Sequence, residues 1–197
     1  MENEVFIGIV VKTVRVKEAD VRISLLTAGG LRVVNAPGVT KPSAKLKNAV
    51  QLFTIAEFCV NGHRLVGAHV LQNPMGLTRE INRYYLACTI CEVIERTRTG
   101  ESASSVFVLT AKTLALLNDT DISCFKIFIN FFVKLLVELG YDVEEFCEKF
   151  DEFKLCETEE IDGIGLTLPY ARGMIKHLEA CYVTHLDIKI ENVARFL

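Results

Sequence analysis

Apolar and polar positions follow two different rhythms along the chain. Up to about residue 72 the apolar residues come in short runs rich in Val, Ile and Leu, broken at glycine, asparagine or polar segments. "VFIGIVVKT" and "VRISLLT" are two such runs, with the polar "VRVKEAD" between them. Gly29-Gly30 marks a hairpin into "LRVVNA", and Asn61-Gly62 joins "VQLFTIAEFCV" to "RLVGAHVL". Asn-Gly is the strongest short-range hairpin signal, because both residues tolerate positive φ. Five short strands so spaced predict a small closed or nearly closed β-barrel, an OB-fold, with an SH3-like barrel close behind on pattern alone.

Past "QNPMGLT", residues 72–78, the rhythm becomes helical. In "REINRYYLACTICEVIERT" the apolar set Ile81, Tyr84, Tyr85, Cys88 and Cys91 recurs at helix spacing and predicts the buried face. "SSVFVLTAKTLALLND" is a second helix and "DISCFKIFINFFVKLLVELG" a third. The third is apolar on nearly every face and should lie at the centre of a bundle, with Asp121 as N-cap and Gly140 as its C′ stop. "VEEFCEKF" predicts a short helix and "KLCETEEIDGIG" an acidic loop; "LPYARGMIKHLEACYV" and "IENVARFL" predict the closing helices. The fold class is α+β: residues 1–75 form a small β-barrel (OB-fold) and residues 76–197 an α-helical bundle.

Composition narrows the setting. Half of the 197 residues are hydrophobic, enough for a sizeable core. The most apolar stretch, Ile122 to Leu139, is interrupted by Ser123, Lys126, Asn130, Lys134 and Glu138, so no membrane span is expected. "MENEVFIG" lacks the basic start of a signal peptide. The seven cysteines, an odd number, lie mainly in apolar segments. A cytoplasmic chain with reduced, mostly buried thiols is expected.

Net charge is −3, yet its distribution is uneven. Lys12, Arg15, Lys17, Arg22, Arg32, Lys41, Lys45 and Lys47 face only Glu18 and Asp20 in the same stretch. From Glu138 to Asp162 the sign reverses. A basic small barrel suits nucleic acid, because Lys and Arg release counterions from phosphates. Its aromatics, Phe6, Phe53 and Phe58, occupy core positions, so a grip on the backbone with little sequence preference is expected.

No Walker-type loop, dinucleotide glycine motif or nucleophile motif is present, and an enzyme is not expected. Cys88-Thr-Ile-Cys91 invites a zinc or redox reading, but it has no second pair and falls on a helix stripe, so core packing is expected. The acidic run lacks calcium-loop spacing. Neither a metal nor a cofactor is expected.

The order of motifs resembles the RecO family of bacterial recombination mediators. "GIVVKT" at Gly8 to Thr13 is similar to that family's opening strand. Glu18-x-Asp20 before "ISLLT", the Gly29-Gly30 turn and the basic "GVTKPSAKL" at Gly38 to Leu46 follow in family order, with Ala44 where a serine is usual. "QLFTIAEF", "KLLVELGY" at Lys134 to Tyr141 and "HLDIKIENVARFL" continue the match. Many relatives carry a zinc module after the Leu-Gly-Tyr motif. Here Cys147 stands near the first ligand position and Phe150 at the second, while Cys156 and Cys181 form no further pair, so the module is expected to be missing.

The resemblance implies a non-catalytic mediator that binds and anneals single- and double-stranded DNA, joins RecR, and contacts the acidic C-terminal tail of single-strand-binding protein. It also implies help in loading RecA onto coated DNA. The eight basic residues of the barrel become the DNA-contacting set. Lys112, Lys126, Lys134, Arg172 and Lys176 become candidates for the rim of a tail-binding groove. The alternative is a protein-interaction adaptor whose basic barrel docks an acidic partner instead of DNA.

Overall fold

The computed structural model describes residues 2–119, 121–141 and 148–190. The chain divides into two compact units. One holds the strands through Pro74 together with Arg98–Phe107; the other holds Met75–Thr97 and the chain from Val108 onward.

The first unit is built on β1 (Asn3–Arg15), β2 (Val21–Thr27), β3 (Gly30–Ala36), β4 (Ile55–Asn61) and β5 (Arg64–Gln72). β1 pairs antiparallel with both β2 and β4, and β2–β3 and β4–β5 are antiparallel hairpins. The strand order β1-β2-β3-β5-β4 leads back to β1. The expected closed barrel nevertheless needs correction. β3 and β5 run parallel and meet at one residue pair, Asn35 with Arg64. The unit is therefore a five-stranded mixed sheet curled on itself, with a seam where an evenly bonded barrel wall would stand. The physical reason is that β5 stays paired to β4 along its length, while its ladder with β3 ends after its first residue.

Val10, Ile23, Leu25, Val34, Ala56, Phe58 and Val60 fill the inside of the sheet. The connection 37–54 closes one end of it. Val39, Ala49 and Val50 belong to the same core. Successive short turns keep this connection compact, with Lys41, Ala44, Lys47, Ala49, Gln51 and Thr54 N–H groups each donating to the carbonyl three residues back. The expected strand from Val50 therefore starts only at Ile55. Val50 serves as a plug, and Phe53, also buried, turns the chain at a φ of 69°.

The second unit contains α1 (Ile81–Arg96), the later part of α2 (Ala103–Asp119), α3 (Cys124–Glu138), α4 (Glu148–Leu155) and α5 (Leu168–Leu186), with 3-10 turns at Met75–Arg79 and Thr158–Gly163. α3 buries Ile127 through Val133 with Leu135 and Leu136, as its all-round apolar pattern requires. Its end is a Schellman turn. Gly140, at a φ of 85°, donates to the Val137 carbonyl, and Tyr141 donates to that of Leu136. The helix begins later than the sequence predicts, with Ser123 rather than Asp121 at the cap position.

α1 is rotated from its predicted face. Leu86, Ala87, Ile90, Cys91, Val93 and Ile94 are buried, whereas Ile81 is 61% exposed and Tyr84, Tyr85 and Cys88 are half-buried. The buried Arg83 explains part of the rotation. Its guanidinium binds the Glu80 carboxylate at 2.7 Å and the carbonyls of Leu117 and Ile122 at 3.3 and 3.1 Å. Gly76 lies so close to Asn118 that a Cβ would sit 2.6 Å from its side-chain oxygen. The expected closing helix in "IENVARFL" begins at Ile190 and otherwise lies outside the described residues, as do Glu144, Glu145 and Cys147.

Candidate nucleic-acid interface

A bulge in β1 sets the outer face of the sheet. Val10 pairs with Leu25 but Lys12 pairs with Ser24, so Val11 is the extra residue. Directly paired residues share a face of the sheet. Without the bulge, Lys12 would follow Val10 inward; with it, Lys12 joins Ser24 on the outside. The next row runs Val14, Arg22, Asn35, Arg64 across β1, β2, β3 and β5. Arg22 Nε donates to Asn35 Oδ1 at 3.4 Å, a long bond that lays its guanidinium along this row. Lys12, Arg22 and Arg64 thus share one exposed face, with exposed Val14 and Val33 between them.

Arg64 is a ninth cation of the sheet unit, beyond the eight expected from sequence. Local sequence marks only its place just past the Asn61-Gly62 turn, because its pairing with Asn35 joins strands far apart in sequence.

A second group lies at the plugged end. The β1–β2 turn carrying Lys17 is tied to the start of the basic connection. The Asp20 carboxylate accepts from Gly38 N–H at 2.9 Å, and Thr40 donates through its N–H to the Ala19 carbonyl and through its hydroxyl to that of Glu18. Lys17 and Lys41 are therefore presented from two segments fastened together. Lys41, Lys45 and Lys47 are all exposed, while Val39, Ala49 and Val50 turn inward. Arg15, paired with the inward-facing Val21, emerges at the sheet's end, away from the Lys12 face.

Arg32 is drawn away from both groups. It pairs with Leu25 on the inner side, where its two terminal nitrogens grip Glu4 at 2.6 and 2.7 Å and its guanidinium stacks 4.3 Å above the Phe6 ring. The Arg32 hydrogen bonds hold the Glu4 carboxyl below its ordinary value, against an opposing effect of burial. The same bonds raise Arg32.

In the helical unit, Lys112, Lys126 and Lys134 converge, but on the chain's own acidic segment. Lys112 stands 3.8 Å from Glu157, Lys126 3.3 Å from Asp162, and Lys134 donates to the Cys156 carbonyl at 2.6 Å. Ile161 and Ile164 of that segment are buried. Arg172 and Lys176 lie one turn apart on α5, both exposed.

Cys91 is fully enclosed, and burial pushes its thiol well above the ordinary range. Half-buried Cys88 is shifted the same way, chiefly by burial. A thiol so disfavoured as a thiolate is a poor nucleophile and metal ligand. Among the described residues, no three His, Cys, Asp or Glu side chains are grouped to hold a metal ion, and no helix is long and apolar enough to cross a membrane.

Two family models match this chain, and they describe a protein of DNA recombination and repair. "Recombination protein O N terminal" covers residues 1–69 and "Recombination protein O C terminal" covers residues 78–148. The chain belongs to the RecO family, whose members are non-catalytic mediators. No curated protein matches it.

Proposed function

We propose that this chain binds single- and double-stranded DNA through its basic sheet unit and anneals complementary strands. We further propose that it works with RecR and the acidic tail of single-strand-binding protein to load RecA onto coated DNA. The observation that carries the reading is the β1 bulge, which turns Lys12 onto the face of Arg22 and Arg64. Cations on such a face screen two phosphate backbones from each other, so complementary strands can approach without ATP. The basic connection adds Lys41, Lys45 and Lys47 with little local acid to offset them. Lys112, Lys126 and Lys134 meet the chain's own segment from Cys156 to Asp162, and Arg172 and Lys176 stand exposed on α5, where an acidic tail could reach them.

Annealing of complementary oligonucleotides, bare and coated with single-strand-binding protein, with and without RecR, tests this reading. Acceleration on both substrates is expected. The absence of any gel shift with bare DNA at low salt would instead favour an adaptor that docks an acidic protein.

The Glu4–Arg32 pair provides a further check. Glu4→Gln should release Arg32 and steepen the salt dependence of single-stranded DNA binding by about 0.7, the worth of one phosphate contact. Because the Glu4 carboxyl is depressed, the pair persists as pH falls through the ordinary carboxylate range and is lost only as pH falls through the lowered value. An identical salt slope in Glu4→Gln would remove Arg32 from the DNA path.

A further inference from the structure

We propose that the seam between β3 and the β4–β5 hairpin receives an unstacked base of single-stranded DNA. The inference rests on the DNA-binding reading above and gives it a preference between DNA forms.

The seam exists because the β3–β5 ladder stops at Asn35 and Arg64. The Asn35 N–H donates to the His63 carbonyl at 2.8 Å and fixes the hairpin tip there. Beyond that point an open pocket of about 500 Å³ remains, within the range of sites that hold small organic ligands. Its lining has two characters. Leu31 and Val33, 37% and 51% exposed, offer apolar surface. Arg22, Asn35 and His63 offer charge, an amide and a planar ring.

A nucleobase has the same two characters, with an apolar face and a polar edge. Its face would lie against Leu31, Val33 and the exposed His63 ring, and its edge within reach of the Asn35 amide. Rings of this kind are used as stacking platforms for single-stranded bases. The flanking phosphates would meet Arg22 and Arg64, which share the row through Asn35. Duplex DNA keeps its bases stacked and cannot offer one without unpairing it. The seam therefore favours single strands, whereas the lysines of the basic connection serve either form.

An oligonucleotide in which several bases are replaced by abasic deoxyribose separates the two contributions, because it keeps its phosphates. Equilibrium binding to the wild-type chain should be about tenfold weaker for the abasic strand than for the intact one. The double variant His63→Ala/Val33→Ser, at two exposed positions, should bring the intact strand down to the abasic level and leave duplex binding unchanged. Equal affinity for intact and abasic strands would overturn the inference while leaving phosphate-based DNA binding standing. An equal loss on all three DNAs in the double variant would place base contact elsewhere. Failure of every DNA to bind at low salt would remove the DNA reading itself. Competition by an extended acidic peptide, with no dependence on bases, would assign the seam to strand addition and overturn the proposal.

Discussion

Reversing Lys41, Lys45 and Lys47 to glutamate is expected to weaken single-stranded DNA binding at least tenfold at low salt. It should also flatten the salt dependence by about 2, since each contacted phosphate on a single strand contributes about 0.7 to the slope. The three side chains are exposed, and the backbone that carries them is held from inside by Val39, Ala49 and Val50. The Asp20–Gly38 hydrogen bond and the two bonds from Thr40 fasten its start. None of these supports involves a lysine side chain. The variant should therefore keep its fold, and a changed affinity would report electrostatics. Duplex binding should fall in parallel, because the loop can grip phosphates of either form. A titration across salt concentrations that gives the wild-type slope and affinity would exclude this connection from the DNA site.

The residues that were legible and those that were not divide along one line. Val21–Thr27 and the Asn61-Gly62 turn follow from local patterning, and the structure contains both as expected. The Gly140 stop is equally local. Tertiary partners decided the rest. Ala49 and Val50 have strand-like neighbours but are taken up as a plug, because the curled sheet has an end to fill. α1 turns by part of a helical step because Arg83 finds carbonyls at Leu117 and Ile122, more than thirty residues away in the chain.

The candidate site shows the same division. The concentration of cations was plain from composition, but which of them act together depends on register. One extra residue at Val11 turns Lys12 outward, and no propensity marks that bulge. Arg32 looked equivalent to Arg22 in the sequence, yet Glu4, 28 positions earlier, neutralises it. Lys112, Lys126 and Lys134, candidates for the rim of a tail-binding groove, also have partners that local sequence does not reveal. They meet two carboxylates and two backbone carbonyls of the same chain, between Cys156 and Asp162.

Phe132→Ala should destabilise the helical unit by about 3–5 kcal/mol, the usual range for removing a buried phenyl ring. Phe132 is completely buried on α3 and sits among three other rings. Phe128 lies 4.3 Å from it between centroids, and Phe131 and Tyr182 meet it edge-on at 5.1 and 5.3 Å. The Tyr182 hydroxyl also donates to the Phe132 carbonyl at 2.9 Å, joining α5 to α3 at the same level. That hydrogen bond holds the two backbones in place and limits collapse around the lost ring. Limited collapse leaves a larger cavity, and the cost rises with cavity volume. Tyr182→Phe separates the two contributions. It keeps the ring packing and loses one buried hydrogen bond, for about 1 kcal/mol. Urea unfolding followed by the helical circular-dichroism signal measures both. If Phe132→Ala costs no more than Tyr182→Phe, α3 is not the packing centre of this unit.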